Sequence, residues 1–296
     1  MNIAVKRLKC GFELPVYGLG LWQVGGREVA ATGRDEVEIA ALDAALSAGI
    51  THFDTAESYA AGHSEELLGL AIQGVERASL TIATKVSAHN QRRDDLLRSF
   101  EASLKRLRLD YVDLYILHRY PEPGIPIAET MATLDLLVAE GRVKWIGASN
   151  FSVSRMAEAQ KRTANPIVCN QVHYNVQVRE PEVSGILEYA QQHDVLTVAW
   201  RPLQKGSLPS TNLISGLAAK YGKTESQIVL NWLISQDSVV AIAKTSSLPH
   251  LYENLGAVGW SMEPEDVERI RRDFPEQRPV SDAVPLNYPG DDTITG

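Results

Sequence analysis

The chain has 296 residues, 44% of them apolar and 22% charged, with a formal net charge of −8. That length allows one large barrel or two average domains, and the apolar share allows a sizeable core. The acidic balance argues against nucleic acid or an anionic membrane as a partner. No apolar run approaches the ~18 residues of a membrane span. The basic N-terminal stretch lacks the apolar segment of a secretory signal. Cys10 and Cys169 have neither metal-ligand nor disulfide-framework spacing, which points to two reduced thiols in a cytoplasmic protein.

In chain order, KRLKCGFELPV reads as a short hairpin suited to closing the bottom of a barrel. Eight apolar, β-branched runs follow, at 16–22 (VYGLGLW), 49–56 (GITHFDTA), 80–86 (LTIATKV), 111–118 (YVDLYILH), 143–149 (VKWIGAS), 166–172 (PIVCNQV), 195–200 (VLTVAW) and 239–244 (VVAIAK). Between them lie segments with helical spacing. EVEIAALDAALSAG stops at Gly49, a residue suited to the position past a helix end. SEELLGLAIQG begins with Ser64 as a cap, followed by acidic residues. RDDLLRSFEASLKRL, IAETMATLDLLVAEG, SRMAEAQKR, PEVSGILEYAQQH and LISGLAAKYG continue the series. TESQIVLNWLISQ is an additional helix, with Thr224 and Gln227 at capping-box spacing.

Continuous apolar strands alternating with helices predict a parallel sheet covered on both faces. Eight such units in one chain of this length fit an α/β fold of the (β/α)8 TIM barrel type, one domain over 1–296, with a tail from about 275. The tail is polar and proline-containing, and its expected fate is either a cover over the barrel mouth or a partly disordered end. A doubly wound open sheet is the other reading, but GLGLWQVGG lacks the G-x-G-x-x-G spacing that fold wants.

In such barrels the chemistry sits where the strands end. Here those ends bring Asp54, with Tyr59 just beyond, then Lys85, His118, Ser149-Asn150, Gln171, Trp200 and Lys244. The set suits carbonyl reduction. A phenol, with a reference pKa of about 10, becomes a usable acid beside an ammonium; a carboxylate holds that ammonium; an imidazole orients the substrate oxygen. Each of these residues alone is more readily a packing or ion-pair residue. Their occurrence in order on consecutive strand ends carries the argument.

At these residues the sequence resembles the aldo-keto reductase family, over nearly the whole chain from GLGLW to HLYEN. The resemblance implies that Asp54, Tyr59, Lys85 and His118 form a catalytic tetrad. It implies that Ser149, Asn150 and Gln171 grip a nicotinamide carboxamide and that Trp200 stacks on the ring. Leu21 then lies beside the cofactor, and Trp22 walls the substrate pocket. Lys244, Thr245 and Ser246 would contact a 2′-phosphate, and Glu253 and Asn254 would reach the adenine. Three positions depart from the family pattern. His250 replaces an arginine, which weakens the case for strict NADPH preference and leaves NADH open. Arg201 replaces a serine in the run Trp200 to Leu203, placing a charge at either the pyrophosphate or the substrate mouth, with Leu203 among the cofactor contacts. Arg119 follows His118 where a tryptophan is common, which opens the pocket or favours a polar substrate.

The expected function is NADPH-dependent reduction of small aldehydes or ketones, with Tyr59 as general acid and no metal. A cofactor-binding barrel acting as a regulatory subunit is the alternative, and the complete tetrad weighs against it. A metal-dependent hydrolase or lyase built on Asp54 and His118 would need a further ligand at the strand ends. Substrate identity and oligomeric state are not legible.

Overall fold

The computed structural model describes residues 3–207 and 210–286. A two-stranded antiparallel hairpin, β1 (Val5–Arg7) and β2 (Glu13–Pro15), precedes the barrel. The barrel strands are β3 (Tyr17–Gly20), β4 (His52–Asp54), β5 (Thr81–Val86), β6 (Val112–Leu117), β7 (Val143–Ser149), β8 (Ile167–His173), β9 (Leu196–Trp200) and β10 (Val239–Ala243). They pair in parallel and in chain order, and β10 pairs with both β9 and β3, so the sheet closes. Each lies within one of the eight apolar runs, except that β8 extends one residue further, to His173.

Alternation along the strands explains why they read as unbroken apolar runs. Phe53, Ile82, Tyr115, Ile146, Val172 and Ala199 pack in the layer between sheet and helices. Their neighbours Ala83, Leu114, Ile116, Cys169, Val198 and Val240 fill the barrel interior together with Leu8, Phe12 and Leu14 of the hairpin. Both faces are therefore dry. The surrounding helices are α1 (Asp35–Ser47), α2 (His63–Ala71), α3 (Arg93–Leu107), α4 (Ile127–Ala139), α5 (Val153–Gln160), α6 (Glu180–Val183), α7 (Ile186–His193), α8 (Asn212–Tyr221), α9 (Glu225–Ile234), α10 (Leu248–Leu255) and α11 (Pro264–Asp273).

The capping box of Thr224 and Gln227 forms at the start of α9. Gly49, at φ 95°, follows the end of α1 in the left-handed region that only glycine enters freely. Ser64 is not a cap. α2 starts one residue earlier, after Gly62 at φ 95°, and the Ser64 hydroxyl is buried against Thr55 Oγ1 at 3.1 Å and the Leu21 carbonyl at 3.3 Å. The stretch PEVSGILEYAQQH is two helices, because Gly185 turns left-handed at φ 77° and begins α7 anew. α10 and α11 are not among the helices expected from the sequence, although Pro249 and Pro264 stand in their first turns.

Candidate active site

The C-terminal ends of β4 and β5 place Asp54 and Lys85 side by side, both almost fully buried. The Lys85 ammonium donates to Asp54 Oδ2 at 2.7 Å, to the Thr55 carbonyl at 2.8 Å and to Tyr59 Oη at 3.2 Å. All three of its hydrogens thus have acceptors, which is what keeps a buried cation tolerable. The second carboxylate oxygen of Asp54 accepts Gln171 Nε2 at 2.6 Å. Burial works to neutralise Lys85, but Asp54 and Tyr59 outweigh it and hold its pKa above the ordinary lysine value.

Tyr59 is carried back over the mouth by a turn in which Ala60, Ala61 and Gly62 all have positive φ, at 51°, 55° and 95°. Two non-glycine residues in succession there represent strain of about 1–2 kcal/mol each. Burial raises the phenol pKa, and Lys85, by charge and hydrogen bond, opposes the rise. The expectation of a phenol made more acidic by its ammonium neighbour thus holds for only one of two opposed influences. His118 meets the Tyr59 ring edge-on, centroids 5.6 Å apart, with Ser58 Oγ 3.5 Å from its Nδ1. Burial first, then the charges of Lys85 and Arg119, push the His118 pKa down to about 3, so the imidazole is neutral. The structure thus brings all four expected tetrad residues to one point.

Beside them, Ser149 Oγ donates to the Gln171 carbonyl at 3.1 Å and accepts Asn150 Nδ2 at 2.9 Å. Asn150, at φ 61°, also donates to the His118 carbonyl at 3.2 Å and accepts Trp200 Nε1 at 3.2 Å. Asn150 is therefore part of a network before any ligand enters. The Gln171 amide oxygen and the second lone pair of Asn150 Oδ1 remain as acceptors, a set that suits the NH₂ of a carboxamide. Leu21 is fully buried, and its amide donates to the Asp54 carbonyl at 2.9 Å. Trp22 is half-buried, with the Arg201 guanidinium 5.5 Å and the Lys205 ammonium 4.6 Å from its ring. Arg201 also lies 5.3 Å over Trp200. Leu203 is half-buried in the same loop, and Arg119 is exposed beside His118.

At the end of β10, exposed Lys244 donates to Ser246 Oγ at 3.2 Å. Thr245 folds onto Ser247, its hydroxyl accepting Ser247 N at 3.0 Å. α10 begins there without a side-chain cap, and with Pro249 in its first turn the amides of Leu248 and His250 are those left for an anion. A lysine, the Ser246 hydroxyl and a helix start together fit a phosphate dianion, while the Thr245 hydroxyl donates to the Ser247 carbonyl at 3.1 Å. His250 is exposed and Glu253 half-buried on α10, whereas Asn254 is buried and turned into the fold. Sequence reasoning missed Arg34, whose charge is felt at Lys244 across a gap of 210 positions. It also missed His173, whose ring stacks on Trp200 with centroids 4.4 Å apart. Neither had a local signal.

The chain matches the aldo/keto reductase family model over residues 17–272. It is 30% identical to the methylglyoxal reductase YeaE of Escherichia coli, over 89% of this chain and 92% of that one. It is 32% identical to the glyoxal reductase of Bacillus subtilis, over 89% and 90%. A thermostable aldo-keto reductase solved with the inhibitor epalrestat superposes with a TM-score of 0.88 at 42% identity, covering 90% of this chain and 98% of that one. The Klebsiella pneumoniae aldo/keto reductase solved with NADP and acetate gives 0.82 at 32%, covering 94% and 97%. The chain belongs to the aldo-keto reductase family. It is an NADP-dependent oxidoreductase acting on carbonyl groups.

Proposed function

We propose that this chain reduces small aldehydes and ketones to alcohols, α-dicarbonyl compounds of the methylglyoxal type among them, with Tyr59 as the general acid. The observation that carries the reading is the Lys85 ammonium held between Asp54 Oδ2 at 2.7 Å and Tyr59 Oη at 3.2 Å. The Tyr59 hydroxyl gives its proton to the carbonyl oxygen, and the phenolate left behind faces a cation already in place, with no reorganisation needed. Asp54 keeps Lys85 charged and aimed. His118, neutral, orients the substrate oxygen through its single N–H without competing as the acid. NADPH, when bound, supplies the hydride. Ser149, Asn150, Gln171 and Trp200 would hold its nicotinamide end, and Lys244, Thr245 and Ser246 its 2′-phosphate, with Leu21, Arg201, Leu203, His250, Glu253 and Asn254 along the cofactor. Trp22 and Arg119 would line the substrate side.

Among the described residues no helix is long and apolar enough to cross a membrane. The two free thiols, with Cys10 exposed, support a cytoplasmic setting. The test is loss of nicotinamide absorbance with a panel of aldehydes and ketones, run on the wild type and on Tyr59→Phe. Absence of turnover across the panel, or equal turnover by both proteins when chemistry limits the rate, would defeat the proposal.

A further inference from the structure

The segment from Arg278 to Leu286 is stitched to the turn after β8. Arg278 N donates to the Gln177 carbonyl at 2.7 Å, and the Arg278 carbonyl accepts Arg179 N at 2.8 Å. The buried carboxylate of Glu180 takes Ser281 N on Oε2 at 2.9 Å and Leu286 N on Oε1 at 2.8 Å. Ser281 Oγ accepts the amides of Ala283 at 3.1 Å and Val284 at 3.0 Å, and lies 2.8 Å from His173 Nδ1. Its single hydrogen is therefore directed to that nitrogen.

Burial foremost holds the His173 pKa down to about 4, so the ring is neutral. Its Nε2 lies 3.2 Å from Gln204 Oε1 and 3.3 Å from Asn175 Nδ2. The ring itself lies flat on Trp200, with planes 11° apart. Two residues on, the Asn175 side chain accepts the amides of Gln177 and Val178 and donates to the Arg201 carbonyl at 3.0 Å. The loop receiving these bonds is strained, with Arg201, Gln204 and Lys205 at φ 53°, 45° and 59°. Such conformations persist where the surroundings enforce them.

We propose that His173, gripped by Ser281, is a positioning residue: it fixes the indole of Trp200 and, through Gln204, the loop after β9, so that the segment Arg278–Leu286 completes the cofactor site without touching the reacting atoms. One face of Trp200 is taken by His173 and its N–H by Asn150, and the Arg201 guanidinium stands 5.3 Å from the same ring, so three neighbours fix the indole's plane. The inference rests on the placement of the nicotinamide against Trp200 given under the proposed function.

The experiment compares Ser281→Ala, Ser281→Thr and Trp200→Ala, each as the full chain. NADPH dissociation constants come from calorimetry, thermal midpoints from the protein without cofactor, and KM and kcat from a small aldehyde. Ser281→Ala should raise the NADPH dissociation constant and KM about fivefold, the worth of one hydrogen bond, with a smaller change in kcat. Ser281→Thr, which keeps the hydroxyl, should restore most of the affinity. An unchanged dissociation constant in Ser281→Ala overturns the proposal. So does a threonine variant that matches the alanine variant in both affinity and midpoint, since the segment would then matter only for folding. If Trp200→Ala binds NADPH as the wild type does, the nicotinamide placement itself fails. If it binds weakly while Ser281→Ala does not, only the role of the tail is lost.

Discussion

At the N-terminal end of the barrel, Leu8, Phe12 and Leu14 of the hairpin sit on Leu114, Val168 and Val198, and Phe12 packs on Trp145 with centroids 5.6 Å apart. At the C-terminal end the barrel strands carry Asp54, Lys85, Ser149, Gln171 and Trp200 at or within two residues of their ends. Backbone strain follows the same division. Gln23, Ala60, Ala61, Asn150, Arg201, Gln204 and Lys205 have positive φ in the loops of the mouth, whereas Arg108 and Asp194 at the other end merely terminate α3 and α7. The boundary is one layer thick. His52, two residues before Asp54 on the same face of β4, is fully buried, its pKa is pushed down to about 4 mainly by burial, and neither ring nitrogen has a partner among the described residues. The lesson is that one end carries the stability that lets the other hold buried charge and strained backbone.

Breaking the floor should give the largest effect. Leu14 is fully buried in the barrel interior, and Leu14→Ala should lower unfolding free energy by about 2–5 kcal/mol, the usual result of a cavity in a packed core. Denaturant titration would measure the loss, and kcat/KM of the folded enzyme should stay within about twofold of wild type, as expected of a site remote from the transition state. Equal damage to stability and to kcat/KM would erase the division between the two ends.

Breaking the mouth should do the reverse. Tyr59→Phe deletes a hydroxyl from a half-buried ring, so the fold should survive while aldehyde reduction falls about a hundredfold or more, the worth of a positioned general acid. Lys85→Met should suppress turnover too, and Asp54→Asn more mildly. Circular dichroism alongside steady-state kinetics would separate the cases. Variants that unfold, yet leave full specific activity in the folded remainder, would make the pair structural.

The two ends were unequally legible in the sequence. The barrel, and the meeting of Asp54, Tyr59, Lys85 and His118 at its mouth, were readable because both depend on local pattern. Short β-branched runs give strands, and a polar residue at the end of such a run stands out against its dry neighbours. The reason for Gly18 was not in that pattern: a Cβ there would lie 2.4 Å from His52 Nδ1, so the glycine makes room for a buried ring of the next strand. What escaped was set by contacts between distant positions. Ser281 meets His173 across 108 residues, and nothing near either residue signals it. Ser64 has the composition of a cap but is drawn inward by Thr55 and Leu21, tertiary partners that outweigh local preference.

The cofactor end sharpens the comparison at a smaller scale. NADPH should bind more tightly than NADH, with both usable. Lys244→Ala should narrow the gap by about ten- to a hundredfold, the range of one charge-assisted contact. His250→Arg should widen it. Arg34, a second cation near Lys244, favours a gap that survives a histidine at position 250, while the carboxylate of Glu38, felt more strongly at Lys244, opposes it. Dissociation constants for both cofactors, taken from tryptophan fluorescence, decide the matter. Equal wild-type affinities that Lys244→Ala does not change would remove this loop from the phosphate site.

The smallest effect lies where the mouth borrows stability. His63, the first residue of α2, pairs through Nδ1 with Glu66 Oε2 at 2.7 Å and through Nε2 with Asp35 Oδ1 at 3.0 Å, joining α2 to the first residue of α1. Burial alone would lower its pKa, but the hydrogen bonds and charges of Glu66 and Asp35 outweigh that and raise it. A folded-state pKa above the unfolded one means that folding takes up a proton. The stabilisation is therefore complete below the ordinary histidine pKa of about 6.5 and is lost as pH rises through the raised folded value. The contribution should stay within about 1 kcal/mol, since a cation at a helix start opposes the dipole and such ion pairs are weak. His63→Gln can keep a hydrogen bond without the charge. The difference in unfolding free energy between wild type and this variant, measured from pH 6 to pH 8.5, should shrink steadily with rising pH. A difference that is flat, or that grows, would show that His63 is neutral in the folded protein and that the α1–α2 junction owes nothing to its charge.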